Sequence, residues 1–432
     1  MRILIQKFGG SSLATPECRL RAIHHIEKAL GEGYALVVVV SAMGRKGDPY
    51  ATDTLLGLIR ENGDQLPPRE TDLLLHTGEI ISAAVMCSML HARGIHATIL
   101  TGGQANIITS AEHTNAYIHT IDPQRIRQEL KRGHVVIVPG FQGRTADWEI
   151  TTLGRGGSDT TATALGAALG AELVDIYTDV NGIMTADPRI VEEAQPLTFV
   201  TYSEICNMAH LGAKVIHPRA VEIAMQANVP IRVRSTFSDD RGTLVTSLYQ
   251  GSTALGPIHD RLVIGIANVA NLTQIKVYAR QGQYDTQLQV FKAMARHGIS
   301  VDFINVNPRG VAYTVHDRMA ERAAGILTEM GYEPHLLREC AKVSVIGAGI
   351  AGVPGVMAQI VEALTSEDVP ILQSADSHTT IWVLVRQSDM VKAVRALHRQ
   401  FELHKSNTDH ALSAFPRASD SAEQTASYER FR

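Results

Sequence analysis

Through its first half the chain alternates short aliphatic runs with longer stretches in which apolar residues recur at helical spacing. Ile3–Ile5, Leu36–Val40, Ala97–Leu100, Val135–Pro139 and Leu173–Thr178 read as buried strands. Asp72–Arg93, Pro123–Arg132, Asp159–Gly170 and Tyr202–His210 read as helices. Helix starts are expected after Asp122-Pro123 and Ser158-Asp159, where oxygen-bearing side chains and proline favour a first turn. Alternation of this kind predicts an α/β fold: a mostly parallel sheet with helices on both faces. Active loops then lie at the carboxyl ends of the strands, and Lys7 and Asp179 are each placed just after one.

The pattern changes near Ser247–Asp260, where Tyr-Gln-Gly-Ser-Thr-Ala-Leu-Gly-Pro reads as a linker. Beyond it the sequence repeats at a spacing of about 69 residues. Gln274–Tyr278 matches Val343–Gly347, Phe291–Ile304 matches Ile360–Gln373, and Val311–Val315 matches Ile381–Val385. Each copy reads strand, helix, strand, strand, helix, strand, a small α+β sandwich. From Ser406 the chain turns to Ser, Ala, Asp and Gln and is expected to be disordered. The expected division is an α/β unit at 1–246, a linker at 247–260, two α+β copies at 261–338 and 339–405, and a tail at 406–432.

A length of 432 residues exceeds one comfortable core, which supports several domains. A net charge of −4 argues against a nucleic-acid partner, whose binding domain is normally basic. No run is expected to approach the apolar length of a membrane span, and the N-terminus enters a strand without signal-peptide anatomy. Cys18, Cys87, Cys206 and Cys340 form no CxxC pair, which suits buried thiols in a reducing compartment. A cytoplasmic location is expected, with no membrane partner. Among the 18 histidines, His24-His25 read as a charged helix face and His217 precedes a proline, so surface and structural roles are expected rather than zinc.

Residues 154–166 carry the densest chemistry: Gly-Arg-Gly-Gly-Ser-Asp-Thr-Thr-Ala-Thr-Ala-Leu-Gly. A glycine loop opening a helix presents free backbone N–H groups and a positive dipole end, which suits an anion. Lys7-Phe8-Gly9-Gly10, after the first strand, adds a cation and bare backbone. Together they read as a site where a phosphoryl group is held and moved. Neither matches the P-loop or the protein-kinase loop, so the cradle is of another kind. Thr178-Asp179-Val180-Asn181-Gly182-Ile183 and Thr185-Ala186-Asp187-Pro188-Arg189 are turn-rich, yet they mix charge with apolar residues as a nucleotide pocket does. Lys214, in Gly-Ala-Lys-Val-Ile-His-Pro, adds a cation suited to a triphosphate. Glu79 stands among small residues of a helix, where a carboxylate is either exposed or needs a cation. A substrate ammonium would serve, and Arg155 could grip a carboxylate bidentately. Val345-Ile346-Gly347-Ala348-Gly349-Ile350-Ala351-Gly352 has the GxGxxG form of a dinucleotide loop. It sits inside the repeat, without a doubly wound half around it, and reads as a strand-to-helix connection.

The stretches KFGGSS, SAMG, TDTLL, GRGGSDTTATALGAAL, TDVNGIMTADPR and GAKVIHPRAVE together resemble aspartate kinase, of the amino acid kinase superfamily. The similarity runs from Met1 to about Thr246 and through the repeats, which resemble ACT domains. In detail it is nearest to the monofunctional aspartokinases of Gram-positive bacteria. The resemblance implies an amino-acid-kinase-like three-layer sandwich followed by two βαββαβ ACT-like domains. It implies phosphorylation of the β-carboxylate of L-aspartate by Mg-ATP to 4-phospho-L-aspartate, at the entry to lysine, threonine and methionine synthesis.

By the same resemblance Lys7 would bridge the transferring phosphoryl group, and Phe8, Gly9 and Gly10 would line it. Ser41, Thr52 and Glu79 would hold aspartate, with Arg155 on its α-carboxylate and Ser158 nearby. Thr178, Asp179, Met184, Asp187, Arg189, Lys214 and Val215 would surround ATP. Met184 stands where family members often carry an aromatic residue. The attacking carboxylate has an ordinary pKa of roughly 4 and needs no general base. Asp159 is therefore assigned to orienting Lys7 or the Mg2+ shell, and the metal to ATP oxygens rather than to protein side chains. The repeats imply a homo-oligomer, dimer or dimer of dimers, and feedback inhibition by an end-product amino acid. Gln283, Asp285, Gln287, Ser300, Val301 and Asp302 are its expected contacts. Lysine, threonine and meso-diaminopimelate all remain open, because Gln281–Asp285 departs from the Asp-x-Pro-Gly turn of many relatives. Another amino acid kinase acting on glutamate or acetylglutamate, and a silent amino-acid sensor, are the competing readings.

Overall fold

The computed structural model describes residues 1–405, apart from 62, 64, 213–214, 248–261, 280–284, 348–349 and 351–352. The expected tail at 406–432 and nearly all of the linker lie outside the described residues. The chain divides into two compact units. The first holds Met1–Ile183 and Pro196–Tyr249; the second holds Met184–Gln195 and the chain from Gln250 onward.

In the first unit, β1 (Ile3–Phe8) and β2 (Ala35–Val40) pair in parallel, Lys7 opposite Val39. The helix α1 (Pro68–His91) and the helix α2 (Gly157–Leu169) follow, then β3 (Leu173–Thr178), which pairs in parallel with the other edge of β1. The eight-stranded sheet runs Phe199–Thr201, Thr243–Thr246, Ile231–Ser235, β3, β1, β2, Val135–Pro139, Ala97–Ile99. Among the described residues, the Ile231–Ser235 and Thr243–Thr246 pair is the one antiparallel pair of this sheet. Side chains alternate across a strand. Leu4 and Phe8 therefore share one face with Leu36, Val38 and Val40, and bury against Ile23, Ile26, Met86 and Leu90 of the helices Pro16–Gly31 and α1. Ile5 points the other way, toward α2, where a Cβ on Gly166 would press on Val174. Lys7 has the parity of Ile5, so the strand register aims it at the α2 face.

Three sequence expectations need correction. The first strand runs through Phe8, so Lys7 lies inside it rather than after it. The helix α2 begins at Gly157, capped by Gly156 at a φ of 68°, and not at Ser158-Asp159. A glycine that supplies a left-handed turn overrides the capping preference of the residues behind it. By length and composition α1 does reach a membrane span. It packs on the sheet, and Asp72, Glu79 and Ser82 are buried along it.

The helix α3 (Pro218–Ala227) of the first unit packs on α2. The second unit is built on one six-stranded sheet, with β4 (Gly265–Tyr278) and β5 (His335–Ile346) at its centre. Its order is Asp302–Asn307, Gly310–His316, β4, β5, Thr380–Arg386, Gln373–Asp376, all neighbours antiparallel. β4 and β5 pair along nearly their whole length, with bulges near Val269 and Leu272. Each long strand thus serves both copies of the repeat. One core gathers on Ile275, Val290, Tyr313 and Leu327, another on Val343, Ile360, Val383 and Leu397, and a smaller cluster on Leu272, Phe303, Cys340 and Leu384. Gly347, of the GxGxxG stretch, explains itself by crowding: a Cβ there would lie 1.9 Å from the Leu262 carbonyl.

Candidate active site

Lys7 Nζ lies 2.6 Å from Asp159 Oδ1, and both side chains are only 12% exposed. β1 delivers the lysine; the first turn of α2 delivers the aspartate. Asp159 Oδ2 also accepts from the backbone N–H of His217, at 3.3 Å, so one carboxylate joins Lys7 to the turn that opens α3. Burial pushes the His217 imidazole below its ordinary pKa, with nearby Asp159 working against it.

The loop before α2 is shaped by close approach. A Cβ on Gly156 would fall 2.1 Å from the His217 ring, and one on Gly157 would fall 2.6 Å from Phe141. Gly154, at a φ of 73°, faces Asn115 in the same way. Between these glycines Arg155 is exposed, while Ser158 is buried against Gly140. After β1 the same economy applies. A Cβ on Gly10 would lie 2.5 Å from the Gly44 carbonyl and 2.8 Å from that of Ala42. The Ser41 N–H donates to the Phe8 carbonyl at 3.1 Å, and the Gly44 N–H to that of Gly10 at 2.9 Å. The KFGG and SAMG turns are thereby stitched together.

Glu79 is 2% exposed. Its Oε1 accepts from the Ala42 N–H at 3.1 Å, and its Oε2 has no partner among the described residues. Burial pushes its carboxyl up to about 8, with the Ala42 hydrogen bond working against the rise. A buried carboxyl with one bare oxygen is costly unless a cation completes it. Thr52 opens the helix Thr52–Arg60 and is half-buried.

Thr178 Oγ1 donates to Asp179 Oδ1 at 3.1 Å, and Asp179 pairs with Arg45, a partner that sequence reasoning missed. Arg45 lies in the stretch SAMGRKG, where a basic residue after a strand was the available signal. Val215 is half-buried; Lys214 lies outside the described residues. Met184, Asp187 and Arg189 belong to the second unit. There Met184 packs against the core, and Arg189 clamps Asp187 with Nη2 to Oδ2 at 2.7 Å, holding that carboxyl below its ordinary range.

Among the expected effector residues, Gln283 lies outside the described residues. Asp285 precedes the helix Thr286–Arg296 and accepts from Gln289 at 3.0 Å; Gln287 donates to the Asn307 carbonyl at 3.2 Å. Ser300 is exposed, Val301 packs against the first core, and Asp302 pairs with the buried Lys342 of the second repeat. His25, expected on a charged face, is buried: its Nε2 meets the Thr236 carbonyl at 3.0 Å and its ring packs on Tyr177. Burial lowers its pKa, so a neutral ring fits there.

Residues 2–235 match the amino acid kinase family, and residues 336–399 match an ACT domain. The chain is 58% identical over 405 residues to aspartokinase 1 of Bacillus subtilis strain 168, spanning 94% of this chain and 100% of that one. This chain belongs to the aspartokinase family. An aspartokinase of Geobacillus stearothermophilus is 40% identical over 409 residues, spanning 93% and 98%. A solved E. coli aspartokinase III holding lysine and aspartate, in its T-state, superposes with a TM-score of 0.71 at 26% identity, covering 93% of this chain and all of that one. The same enzyme with aspartate and ADP, in its R-state, gives 0.75 at 24% identity, covering 92% and 99%, and agrees in fold. As an aspartokinase the chain is an ATP-dependent kinase of aspartate, and its ACT sequence fits allosteric control.

Proposed function

We propose that the loops around the Lys7–Asp159 pair perform the transfer. One oxygen of the aspartate β-carboxylate attacks the γ-phosphorus of ATP, the bond to the bridging oxygen breaks, and ADP leaves with that electron pair. The product is 4-phospho-L-aspartate, and no proton moves. The nucleophile is ionised at neutral pH. What remains is repulsion between two anions, and their alignment.

Lys7 answers the repulsion. Asp159 is its positioning residue: a contact at 2.6 Å fixes an otherwise flexible ammonium. Gly9 and Gly10, with Phe8, offer bare backbone to the phosphoryl oxygens, and the α2 N-terminus adds its dipole. Glu79 takes the substrate ammonium on its bare Oε2. Arg155 takes the α-carboxylate, with Ser41, Thr52 and Ser158 as hydroxyl partners. Thr178, Asp179, Met184, Asp187, Arg189, Lys214 and Val215 form the nucleotide set carried over from the family resemblance. Mg2+ would be held by ATP oxygens, with Asp159, whose Oδ1 meets Lys7 at 2.6 Å, beside its shell. When bound with the triphosphate, Mg2+ would neutralise its charge.

The catalytic domain is assigned to 1–246, with ACT-like domains at 261–338 and 339–405. An end-product amino acid would bind near Asp285–Gln287 and Ser300–Asp302. A cytoplasmic homo-oligomer joined through the repeats completes the reading. The observation that carries it is the largely shielded ion pair between Lys7 and Asp159. Trapping the acyl phosphate with hydroxylamine, with aspartate, glutamate and acetylglutamate in turn, should give hydroxamate from aspartate. Lys7→Ala should lower that turnover by orders of magnitude with aspartate binding largely kept. An active Lys7→Ala enzyme would overturn the assignment.

A further inference from the structure

Thr185 stands two residues before Asp187, in a stretch whose sequence neighbours on both sides belong to the kinase unit. By its contacts, however, Met184–Gln195 belongs to the second unit. Ala186, Val191 and Ala194 are buried in one core with Val394 and Leu397 of the C-terminal helix, Met390–Gln400. The Thr185 N–H donates to the Gln195 carbonyl at 2.9 Å, closing the neck of the stretch. The Thr185 carbonyl accepts from Ile266 of β4 at 2.8 Å, and Arg395 donates to the Ile190 carbonyl at the same distance.

The remaining contact is between side chains. Thr185 Oγ1 accepts from the Gln195 N–H at 2.9 Å, which leaves its own proton to give. His398 Nε2 lies 3.0 Å away, placed to receive it. The imidazole is 1% exposed, and Thr185 is fully buried. Burial holds the ring neutral down to about 4. A neutral ring accepting at Nε2 carries its proton on Nδ1. His398 takes no part in the chemistry described above, and its charge is suppressed. Its visible effect is to fix the start of the stretch that carries Asp187 and Arg189.

We propose that His398 is a positioning residue for the nucleotide: through Thr185 it sets the segment bearing Asp187 and Arg189, so a helix of the regulatory half helps to set ATP affinity. This rests on the assignment of Asp187 and Arg189 to the nucleotide set.

Steady-state kinetics of the full chain with MgATP and L-aspartate test it. His398→Leu keeps bulk and removes the acceptor. It should raise the KM for ATP by about three- to tenfold, the range a lost hydrogen bond gives, with the KM for aspartate and kcat close to those of the parent. His398→Gln, which restores an acceptor, should recover most of the loss. Thr185→Val should reproduce His398→Leu, and the double variant should be no worse than either alone. Arg189→Ala serves as the reference for the underlying assignment. If Arg189→Ala leaves the KM for ATP unchanged, the nucleotide role of the segment fails. If Arg189→Ala raises it but His398→Leu does not, the His398 proposal alone fails. Equal loss in both KM values and in thermal midpoint, with no recovery in His398→Gln, would make His398 a packing residue and overturn the proposal.

Discussion

Glu79 shows how a single side chain can be read in two states. Its ordinary pKa is 4.5, and burial raises it to about 8 in the folded chain. Between those values the folded state keeps a proton that the unfolded state has lost. Stability therefore falls as pH rises through this window, and this group contributes no further slope outside it. Glu79→Gln removes the titration. Its thermal midpoint should gain on the parent progressively from about pH 5 to about pH 8, and substrate-level aspartate should stabilise only the parent. Parallel midpoint curves for the two proteins would show that Glu79 is not the buried titrating group. The residue was legible as a carboxylate needing a cation, because charge among Gly, Ile and Ala on a helix is conspicuous. The Ala42 N–H that holds one oxygen was not legible, since it comes from a turn 37 positions away.

At the scale of elements, the loop before α2 tests whether crowding or conformation shapes the anion site. Gly33 has a φ of 81° and nothing within 4 Å of a built Cβ, so Gly33→Ala carries conformational strain alone. Gly156 has a φ of 68° and a Cβ position 2.1 Å from His217. Left-handed backbone costs an alanine roughly 1–2 kcal/mol; displacing the half-buried His217 ring adds to that. Gly156→Ala should therefore lower the thermal midpoint more than Gly33→Ala and raise the KM for aspartate, which Gly33→Ala should leave alone. Equal effects would remove crowding from the account of this loop. Local pattern went far here: Leu173–Thr178 and Tyr202–His210 form at the expected limits. It misplaced the start of α2 because the deciding contact, with Phe141 and His217, is not local. For the same reason the repeat was legible but the sharing of β4 and β5 was not. Their pairing joins residues some seventy positions apart.

Across the whole molecule, the two units have separate cores, and the regulatory one is completed by a stretch borrowed from the kinase sequence. Separate cores allow separate melting, and the borrowed stretch packs in the second core alone. Calorimetry can distinguish how far each holds. Aspartate binds residues of the first unit in the proposed site, so saturating aspartate should raise a kinase-unit transition by mass action, with about 2.7 kcal/mol gained at a hundredfold excess over Kd. The second transition should stay in place. An amino-acid effector, tried as lysine, threonine and meso-diaminopimelate, should move the second transition instead, because Asp285, Ser300 and Asp302 lie in that unit. Opening the Thr185–His398 contact, by His398→Leu, should widen the gap between the two transitions. One transition that moves as a whole with either ligand would show that the borrowed stretch binds the units into a single cooperative body, and a regulatory signal would then need no hinge to reach the nucleotide.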